Sequence, residues 1–363
     1  MKKERLLSLD VFRGITIAAM ILVNDPGDWS NVYAPLLHAH WNGYTPTDLI
    51  FPFFIFIMGV AISLSKPKVG VERKSIVYKS LKRTLILFLI GLFLNGFPFF
   101  ELSSLRIPGV LQRIALVFMG CIWLYQYLDS KKVYWVGAGI LVVYWIVMSF
   151  IPVPGGTPSN LDPGTNFAAW MDEALLSGHM YSQTKTWDPE GILSTFPAIV
   201  TGIMGIWTGN NLFRTADKVK ALLKIMVIGV LSIWAALIWD LSFPINKSLW
   251  TSSYVLITGG WGMISFAILF WFLDVEKYDT IVIKPFMIFG LNSITVYAFS
   301  GVLSTSLYLL KIGDNSLKGH VFEMISFVFD NAKFSSFVFA VLFVLVSYIP
   351  IWVLYKKGIF IKV

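Results

Sequence analysis

The chain has 363 residues, of which 56% are hydrophobic and only 14% are charged. Ordinary soluble domains carry about 25% charged residues, so this composition excludes a water-soluble globular protein. The single cysteine, Cys121, excludes an intramolecular disulfide and a cysteine-based metal cluster. The net charge of +8 does not indicate a nucleic-acid partner, because the cations are distributed as expected for one face of a membrane.

Apolar runs of roughly 20 residues recur along the whole chain, and each is long enough for a helix to cross a bilayer. We therefore predict an all-α, polytopic transmembrane helical bundle that forms a single domain over residues 1–363. Residues 316–332 leave room for a short re-entrant or interfacial helix. The ten predicted spans are residues 8–24, 48–65, 84–100, 107–127, 132–151, 190–213, 219–240, 249–273, 283–310 and 334–355.

The cations give the orientation of these spans. With the N-terminus in the cytoplasm, 21 of the 29 Lys and Arg residues fall on inner segments or at the inner ends of spans, six fall on outer segments, and the other two are Arg13 and Arg113. Such a bias follows the positive-inside rule. We expect a multi-pass protein of the plasma (inner) membrane with both termini in the cytoplasm. Loops 25–47 and 151–189 then face outward, and a homodimer formed through apolar spans is compatible with this arrangement.

The first span carries polar side chains at both ends. Arg13 lies near its inner end and Asn24 at its outer end, and eleven helical steps return to within about 20° of the same face. The rise between them is about 16 Å. Arg13 is then a candidate ligand for an anionic molecule. The alternative is that Arg13 reaches the interface or pairs with Asp10.

The stretch "PLLHAHWNGYTPTDLIFPFF", residues 35–54, places His38 and His40 in an outward loop directly before the second span. "TPTD" is typical of a helix start, with Thr45 as the N-cap and Asp48 completing a capping box. The residues alone leave three interpretations of the histidines: a metal site, a catalytic base with a bystander, or a polar loop.

Two further cations lie close to the membrane depth of this loop. Arg113 is about five residues into the fourth span, and Lys247 follows the seventh. Either could bind an anionic ligand, since ionisable groups in a bilayer are costly unless they are paired or functional. A structural salt bridge of Arg113 with Asp48 or Asp240 is the alternative.

Together, "RLLSLDVFRGITIAAMILVN" and "HAHWNGYTPTDLIFPFFIFIMG" resemble the heparan-alpha-glucosaminide N-acetyltransferase family of transmembrane acyltransferases. "RIPGVLQRIA", "WDPEGILSTFPAIVTGIMG" and "FPINKSLWTSSYVL" fit its bacterial branch. The resemblance implies transfer of acetyl from cytosolic acetyl-CoA, the co-substrate, to the amine or hydroxyl of an extracytoplasmic sugar or glycan. In the family motif a histidine precedes Ala, a variable residue and Trp, so the resemblance assigns the catalytic histidine to His38 and its polar companion to Asn24. Arg13, Arg113 and Lys247 are then the candidates for binding acetyl-CoA, and no metal is expected.

Two other functions are open on the residues alone. A transporter of a small polar or anionic solute would also contain charged residues within its spans. A metal-dependent membrane hydrolase could use His38 and His40 with Asp25 and Asp28, although an HxH loop lacks the helical spacing of a typical catalytic zinc motif. The acceptor is not defined by the sequence, and candidates include amino sugars, cell-wall precursors and other surface glycans.

Overall fold

The computed structural model describes residues 6–65, 73–278 and 281–361. Six cations used above for the orientation lie outside these ranges: Lys2, Lys3, Arg5, Lys66, Lys68 and Lys362. The regular secondary structure of the described chain is almost all helical, with one two-stranded antiparallel hairpin. Its elements are α1 (Leu7–Asn24), α2 (Ile50–Ser63), α3 (Arg73–Gly96), α4 (Val110–Tyr127), α5 (Ser130–Phe150), α6 (Phe167–Leu176), α7 (Thr195–Arg214), α8 (Lys218–Asp240), α9 (Ser252–Phe270), α10 (Ile283–Leu291), α11 (Ser293–Leu309), β1 (Lys311–Ile312), β2 (Asn315–Ser316), α12 (Leu317–Val328) and α13 (Ala332–Lys356).

The prediction of an all-α polytopic protein is confirmed. Within the described ranges, seven helical segments are long and apolar enough to cross a membrane, and the bent pair α10–α11 makes an eighth. Predicted spans 84–100 and 190–213 also coincide with helices, α3 and α7, but these do not reach the same hydropathy. In α3 five Lys and Arg residues in the first half of the helix lower the hydropathy. In α7 the Gly, Thr and Asn residues among the apolar ones have the same effect. Residues 316–332 do contain a short helix, α12.

The chain divides into two compact units. The first unit consists of Met1–Ala39, Tyr44–Phe54 and Leu269–Val363. The second unit consists of His40–Gly43 and Ile55–Ile268. The histidine loop therefore contributes its flanks to the first unit and four residues in its middle to the second.

The first unit is built on the packing of α1 against α10. Two glycines permit this close approach. A Cβ on Gly14 would lie 1.7 Å from the carbonyl oxygen of Phe286, and one on Gly290 would lie 1.8 Å from that of Asp10. Since no side chain fits between the two backbones, this close packing requires glycine at both positions, as is common where helices pack in membranes.

The span made of α10 and α11 is bent by 86° at Asn292. A bend of this size interrupts the backbone hydrogen bonds of the helix and exposes polar groups that need other partners. The buried side chain of Asn292 donates to the carbonyl oxygen of Ile359 at 3.2 Å and accepts from the N–H of Ile361 at 2.8 Å. The segment after α13 is thereby attached to the bend.

The second unit packs α7 against α4 and α5, and α3 against α4. Here too glycines allow close contact, because a Cβ on Gly59 or on Gly205 would lie 2.0 Å from a carbonyl oxygen of the facing helix. A buried hydrophobic cluster packs the end of α5 against α6 and the loop that follows α8. It consists of Tyr144, Met148, Ala168, Phe243 and Leu249.

Candidate functional site

His38 is paired with a buried carboxylate. Its Nδ1 lies 2.6 Å from Oδ1 of Asp48, whose side chain is only 1% exposed, whereas the side chain of His38 is 48% exposed. The predicted capping box is confirmed, since Oδ2 of Asp48 accepts from the N–H of Thr45 at 2.9 Å. The same oxygen accepts from the N–H of Ala39, also at 2.9 Å. One carboxylate therefore fixes both the start of the turn Pro46–Leu49 and the histidine.

This arrangement defines the chemistry that His38 can perform. When Nδ1–H donates to the carboxylate, the lone pair is on Nε2, and the ring is held in one orientation. The negative charge of Asp48 also stabilises the imidazolium that forms when Nε2 takes a proton. A half-exposed histidine with a buried carboxylate behind it has the geometry of a general base or a nucleophile.

The loop around His38 is attached to the turn by side-chain hydrogen bonds. Thr45 Oγ1 donates to the carbonyl oxygen of Leu37 at 2.7 Å, and Thr47 Oγ1 donates to that of Pro35 at 3.0 Å. These bonds satisfy loop carbonyls on the N-terminal side of His38. The ring is therefore held both by its carboxylate and by the backbone that carries it.

His40 differs from His38 in its surroundings. It is exposed and belongs to the four-residue segment of the second unit. There its neighbour Trp41 donates from Nε1 to the carbonyl oxygen of Leu161 at 3.1 Å and packs edge-on against Trp187. Across the described chain, no three His, Cys, Asp or Glu side chains gather as a metal site would require.

Asn24 and Arg13 are both in the first unit with His38. Asn24 is the last residue of α1 and is exposed, and α1 contacts the turn Pro46–Leu49 that holds His38. Arg13 is partly buried, with Nη1 3.5 Å from Oδ1 of Asp10 and 3.4 Å from the carbonyl oxygen of Gly290. The pairing with Asp10 that the sequence left open is therefore present, and the role of Arg13 toward a ligand stays a prediction.

Arg113 is in the second unit and completely buried. Its Nη2 donates to Ser194 Oγ and, at 3.0 Å, to the carbonyl oxygen of Gly191, while the guanidinium lies 5.1 Å from the Trp250 ring centroid. Nε and Nη1 are buried without a hydrogen-bond partner among the residues described. Buried unsatisfied donors of a cation are costly, and the role of Arg113 toward a ligand stays a prediction.

Lys247 also belongs to the second unit, in the loop between α8 and α9. It is partly exposed, and its carbonyl oxygen accepts from the N–H of Trp250 at 3.0 Å. Asp240, considered above as a salt-bridge partner of Arg113, accepts from the N–H of Ile245 at 2.6 Å. Asp240, the last residue of α8, is thus bonded to the same α8–α9 loop that contains Lys247.

An ion-pair cluster that the sequence analysis missed lies near the start of α7. Arg106 makes two hydrogen bonds with Asp188, at 2.6 and 2.9 Å, and a third with Glu190 at 2.5 Å, while its guanidinium covers the ring of Tyr181. Burial lowers the pKa of Arg106, but the bonds with Asp188 and the charge of Glu190 outweigh it and raise the pKa. The only hint in the sequence is the acidic "DPEG" before an apolar run.

Asp172, on the short helix α6, holds the same turn. Its carboxylate accepts from the N–H of Ile192 at 2.9 Å and from that of Asp188 at 3.2 Å. Gly191 is required there, since a Cβ would lie 2.1 Å from Asp172 Oδ2. Burial raises the pKa of Asp172 to about 6, and the two backbone bonds partly oppose the rise.

The fold and this site define a class, a multi-pass helical membrane protein with a carboxylate-supported histidine. Comparison with known proteins defines the family. Residues 5–244 match the family described as "Heparan-alpha-glucosaminide N-acetyltransferase, catalytic". The chain is 30% identical over 421 residues to the heparan-alpha-glucosaminide N-acetyltransferase of Mus musculus, which covers 99% of this chain and 61% of that protein. It is also 30% identical over 420 residues to the heparan-alpha-glucosaminide N-acetyltransferase of Homo sapiens, and this match covers 99% of this chain and 60% of that protein.

The chain therefore belongs to the heparan-alpha-glucosaminide N-acetyltransferase family, and the resemblance drawn from its motifs is confirmed. It spans about three-fifths of the length of the curated relatives it matches. The matched residues include α1, the histidine loop and the Arg106–Asp188 cluster.

Proposed function

We propose that this chain is a membrane-embedded acyltransferase that moves an acetyl group from cytosolic acetyl-CoA to an amine or hydroxyl of an extracytoplasmic sugar or glycan. The observation that carries the proposal is the His38–Asp48 pair, in which a buried carboxylate orients a half-exposed imidazole. Membership of an N-acetyltransferase family supports the same class of reaction.

The transfer requires one base. The acceptor nitrogen or oxygen attacks the thioester carbonyl carbon, a new C–N or C–O bond forms, and the C–S bond breaks. His38 Nε2 takes the proton from the attacking group and returns it to the departing thiolate, so charge is balanced without a further reactant. In the covalent alternative, Nε2 itself attacks the thioester carbonyl carbon, an N–C bond forms, the C–S bond breaks and CoA departs as the thiolate. The acceptor then attacks the acetyl carbon, the Nε2–C bond breaks, and the proton of the acceptor passes by way of the freed imidazole to the thiolate.

Other residues would stabilise the developing charge and hold the donor. We assign Asn24 as the donor to the oxyanion, since an exposed amide at the end of α1 suits this role. Arg113 is assigned to the donor molecule because two of its buried N–H groups lack partners in the described chain. Arg13, near the inner end of α1, is assigned to the anionic groups of cytosolic acetyl-CoA, and Lys247 stays a candidate for binding acetyl-CoA on its charge alone.

The proposal includes an orientation. Both termini are in the cytoplasm of a plasma-membrane protein, and residues 25–47 and 151–189 face outward. A single cysteine placed at position 160, in a Cys121→Ala background, tests this in intact cells and in inverted vesicles. Labelling of position 160 by an impermeant maleimide only in inverted vesicles would contradict the orientation.

The central experiment compares two histidine variants with radiolabelled acetyl-CoA and a panel of amino-sugar acceptors. His38→Ala should lower the turnover about 10² to 10⁴ fold, the usual contribution of a positioned base. His40→Ala is the matched control, two residues away and without the carboxylate, and should retain most activity. Equal and severe losses, with release of a bound metal from both variants, would favour a metal hydrolase instead.

The two mechanisms differ before the acceptor is added. Wild-type protein is mixed with radiolabelled acetyl-CoA alone, quenched and separated from free donor. Label retained by the wild type and lost in His38→Ala would establish an acetyl-histidine. No retained label, together with normal transfer once acceptor is present, would establish direct transfer with His38 as the base.

A further inference from the structure

The turn that follows Asn24 is packed closely against two helices of the first unit. The N–H of Gly27 donates to the carbonyl oxygen of Ser336, on α13, at 3.2 Å. A Cβ on Gly27 would lie 2.5 Å from Cδ2 of Phe322, on α12, and 2.9 Å from Cβ of Phe339, on α13. Since no side chain fits at this position, the backbone directly after α1 has little freedom to move.

Asp25 is the buried carboxylate of this turn. It is 8% exposed, and its backbone angles, φ −129° and ψ 54°, end α1 directly after Asn24. Its side chain accepts a hydrogen bond from Ser304, on α11, and interacts with the charge of Lys318, on α12. Burial raises the pKa of Asp25 to about 6, and Ser304 and Lys318 partly oppose the rise. The carboxylate therefore connects the end of α1 with two other helices.

Lys318 is the cation that matches this carboxylate. Its Nζ lies 5.5 Å from the centroid of the Phe339 ring, and burial lowers the pKa of Lys318 against the charges of Asp25 and Asp28. A charge removed from water is costly unless an opposite charge or a hydrogen bond compensates it. The bond from Asn31 lowers the pKa of Asp28, whereas burial raises that of Asp25. Asp25 is therefore the acid whose charged form depends more on Lys318.

The proposed mechanism does not use this pair, although Asp25 is adjacent to the proposed oxyanion donor. A donor stabilises an oxyanion only when it is held within about 0.5 Å of the productive position. Asn24 is exposed, and among the described residues its side chain has no hydrogen-bond partner. The position of its amide therefore depends on the backbone that carries it, and the side chain of Asp25 holds that backbone.

We propose that Asp25 is a positioning residue for Asn24, and that the charge of Lys318 on α12 stabilises the Asp25 carboxylate in this role. The carboxylate holds the turn after α1 in one conformation, so that the Asn24 amide meets the developing oxyanion. The inference rests on the proposed function for the role of Asn24, but the order of the turn is measurable without any reaction. It gives the short helix α12 a part in catalysis.

Asp25→Asn removes the charge with little change in size. It should lower kcat about tenfold, a part of the roughly 10² to 10³ fold that loss of an oxyanion donor costs, and leave the KM for acetyl-CoA unchanged. Lys318→Met should have the same effect, whereas Lys318→Arg should retain most activity because it keeps the charge. Asp28→Asn is the matched control, since Asp28 also interacts with Lys318, and it should keep kcat near that of the wild type. A wild-type kcat in Asp25→Asn would overturn the inference.

A double-mutant cycle with Asn24→Ala distinguishes positioning from a general effect on the fold. If Asp25 acts through Asn24, Asp25→Asn should lower kcat by less than about twofold in the Asn24→Ala background. Equal losses in the two backgrounds would show that Asp25 acts on another group and would overturn the inference. Thermal denaturation in detergent is measured for every variant. If Asp25→Asn does not fold, Lys318→Met and Ser304→Ala are used in the same cycle.

A spin label at position 24 reports the order of the turn in the absence of substrate. It is attached to Asn24→Cys in a Cys121→Ala background, and Asp25→Asn and Lys318→Met should increase its mobility while Asp28→Asn should not. Increased mobility without acetyl transfer to any acceptor by the wild type would overturn the proposed reaction and support the role of Asp25 in the turn. Acetyl transfer by the wild type, with unchanged label mobility in Asp25→Asn, would overturn the inference and leave the proposed reaction intact.

Discussion

Replacing Asp48 by Asn should inactivate the protein through the tautomer of a neighbouring ring. Oδ2 of Asp48 accepts from the N–H groups of Ala39 and Thr45, so the amide oxygen of the substituted Asn must occupy that position. Its NH₂ group then faces His38 Nδ1 in place of Oδ1. An NH₂ group can only donate, so Nδ1 must accept and the proton moves to Nε2.

With Nε2 protonated, the ring presents a donor where the reaction needs a base. The expected loss in kcat is about 10² to 10⁴ fold, the contribution of general-base catalysis. The fold should survive, since the backbone bonds to the amide oxygen persist; a cost of about 1–3 kcal/mol is expected for the altered buried contact. Steady-state transfer from labelled acetyl-CoA gives kcat, and thermal denaturation in detergent gives the stability.

Thr45→Val is the matched control, because it removes the hydroxyl that contacts Asp48 at 3.2 Å and Leu37 at 2.7 Å but leaves the carboxylate. It should lower stability with a far smaller loss of kcat. The double variant Asp48→Asn, His38→Ala should be no worse than His38→Ala alone. A near-normal kcat in folded Asp48→Asn would refute the tautomer argument, and additive losses would show that the two residues act separately.

Three further outcomes are expected. Arg13→Ala should clearly raise the KM for acetyl-CoA with little change in melting temperature. An unchanged KM would show that Arg13 has only a structural role, in its ion pair with Asp10. Asp172→Asn should remove a pH dependence of stability. Because its pKa is raised on folding, the folded state holds the proton of Asp172 more tightly than the unfolded state, so the wild-type protein loses stability as pH rises from about 4 to about 6. The pKa rise from 3.8 to about 6 corresponds to about 3 kcal/mol. A difference in melting temperature between the two proteins that is constant across this range would contradict it. Gly14→Ala should destabilise by at least about 1–3 kcal/mol through overlap with a backbone carbonyl, whereas Gly139→Ala, which meets nothing within 4 Å, should not; equal unfolding midpoints would refute the close-packing argument.

The sequence predicted helices well where a local property determines them. Every span that was predicted from a run of apolar residues contains a helix, because a segment that crosses a bilayer must form its backbone hydrogen bonds internally. The bend at Asn292 escaped prediction, since the apolar run 283–310 is continuous. Its polar partners, Ile359 and Ile361, are 67 and 69 residues away, and no local rule brings them together.

The site shows the same division between local and distant determinants. Thr45 and Asp48 were predicted as a helix cap from their spacing of three, but the second oxygen of Asp48 binds His38, ten residues earlier. That contact depends on the path of the loop between them. Likewise Arg106 and Asp188 are 82 residues apart, so their ion pair has no signature in either stretch alone.

The contact between α1 and α10 also constrains the order of events during synthesis. Gly14 meets Phe286 only after about 270 further residues have been made. At about 5–20 residues per second, the first helix would wait tens of seconds in the bilayer before its glycine face is covered. During that interval the face is open to other helices or to chaperones of the insertion machinery. Chains that stop before α10 should therefore expose α1 to quality-control proteases, even though every residue of the histidine loop is already present.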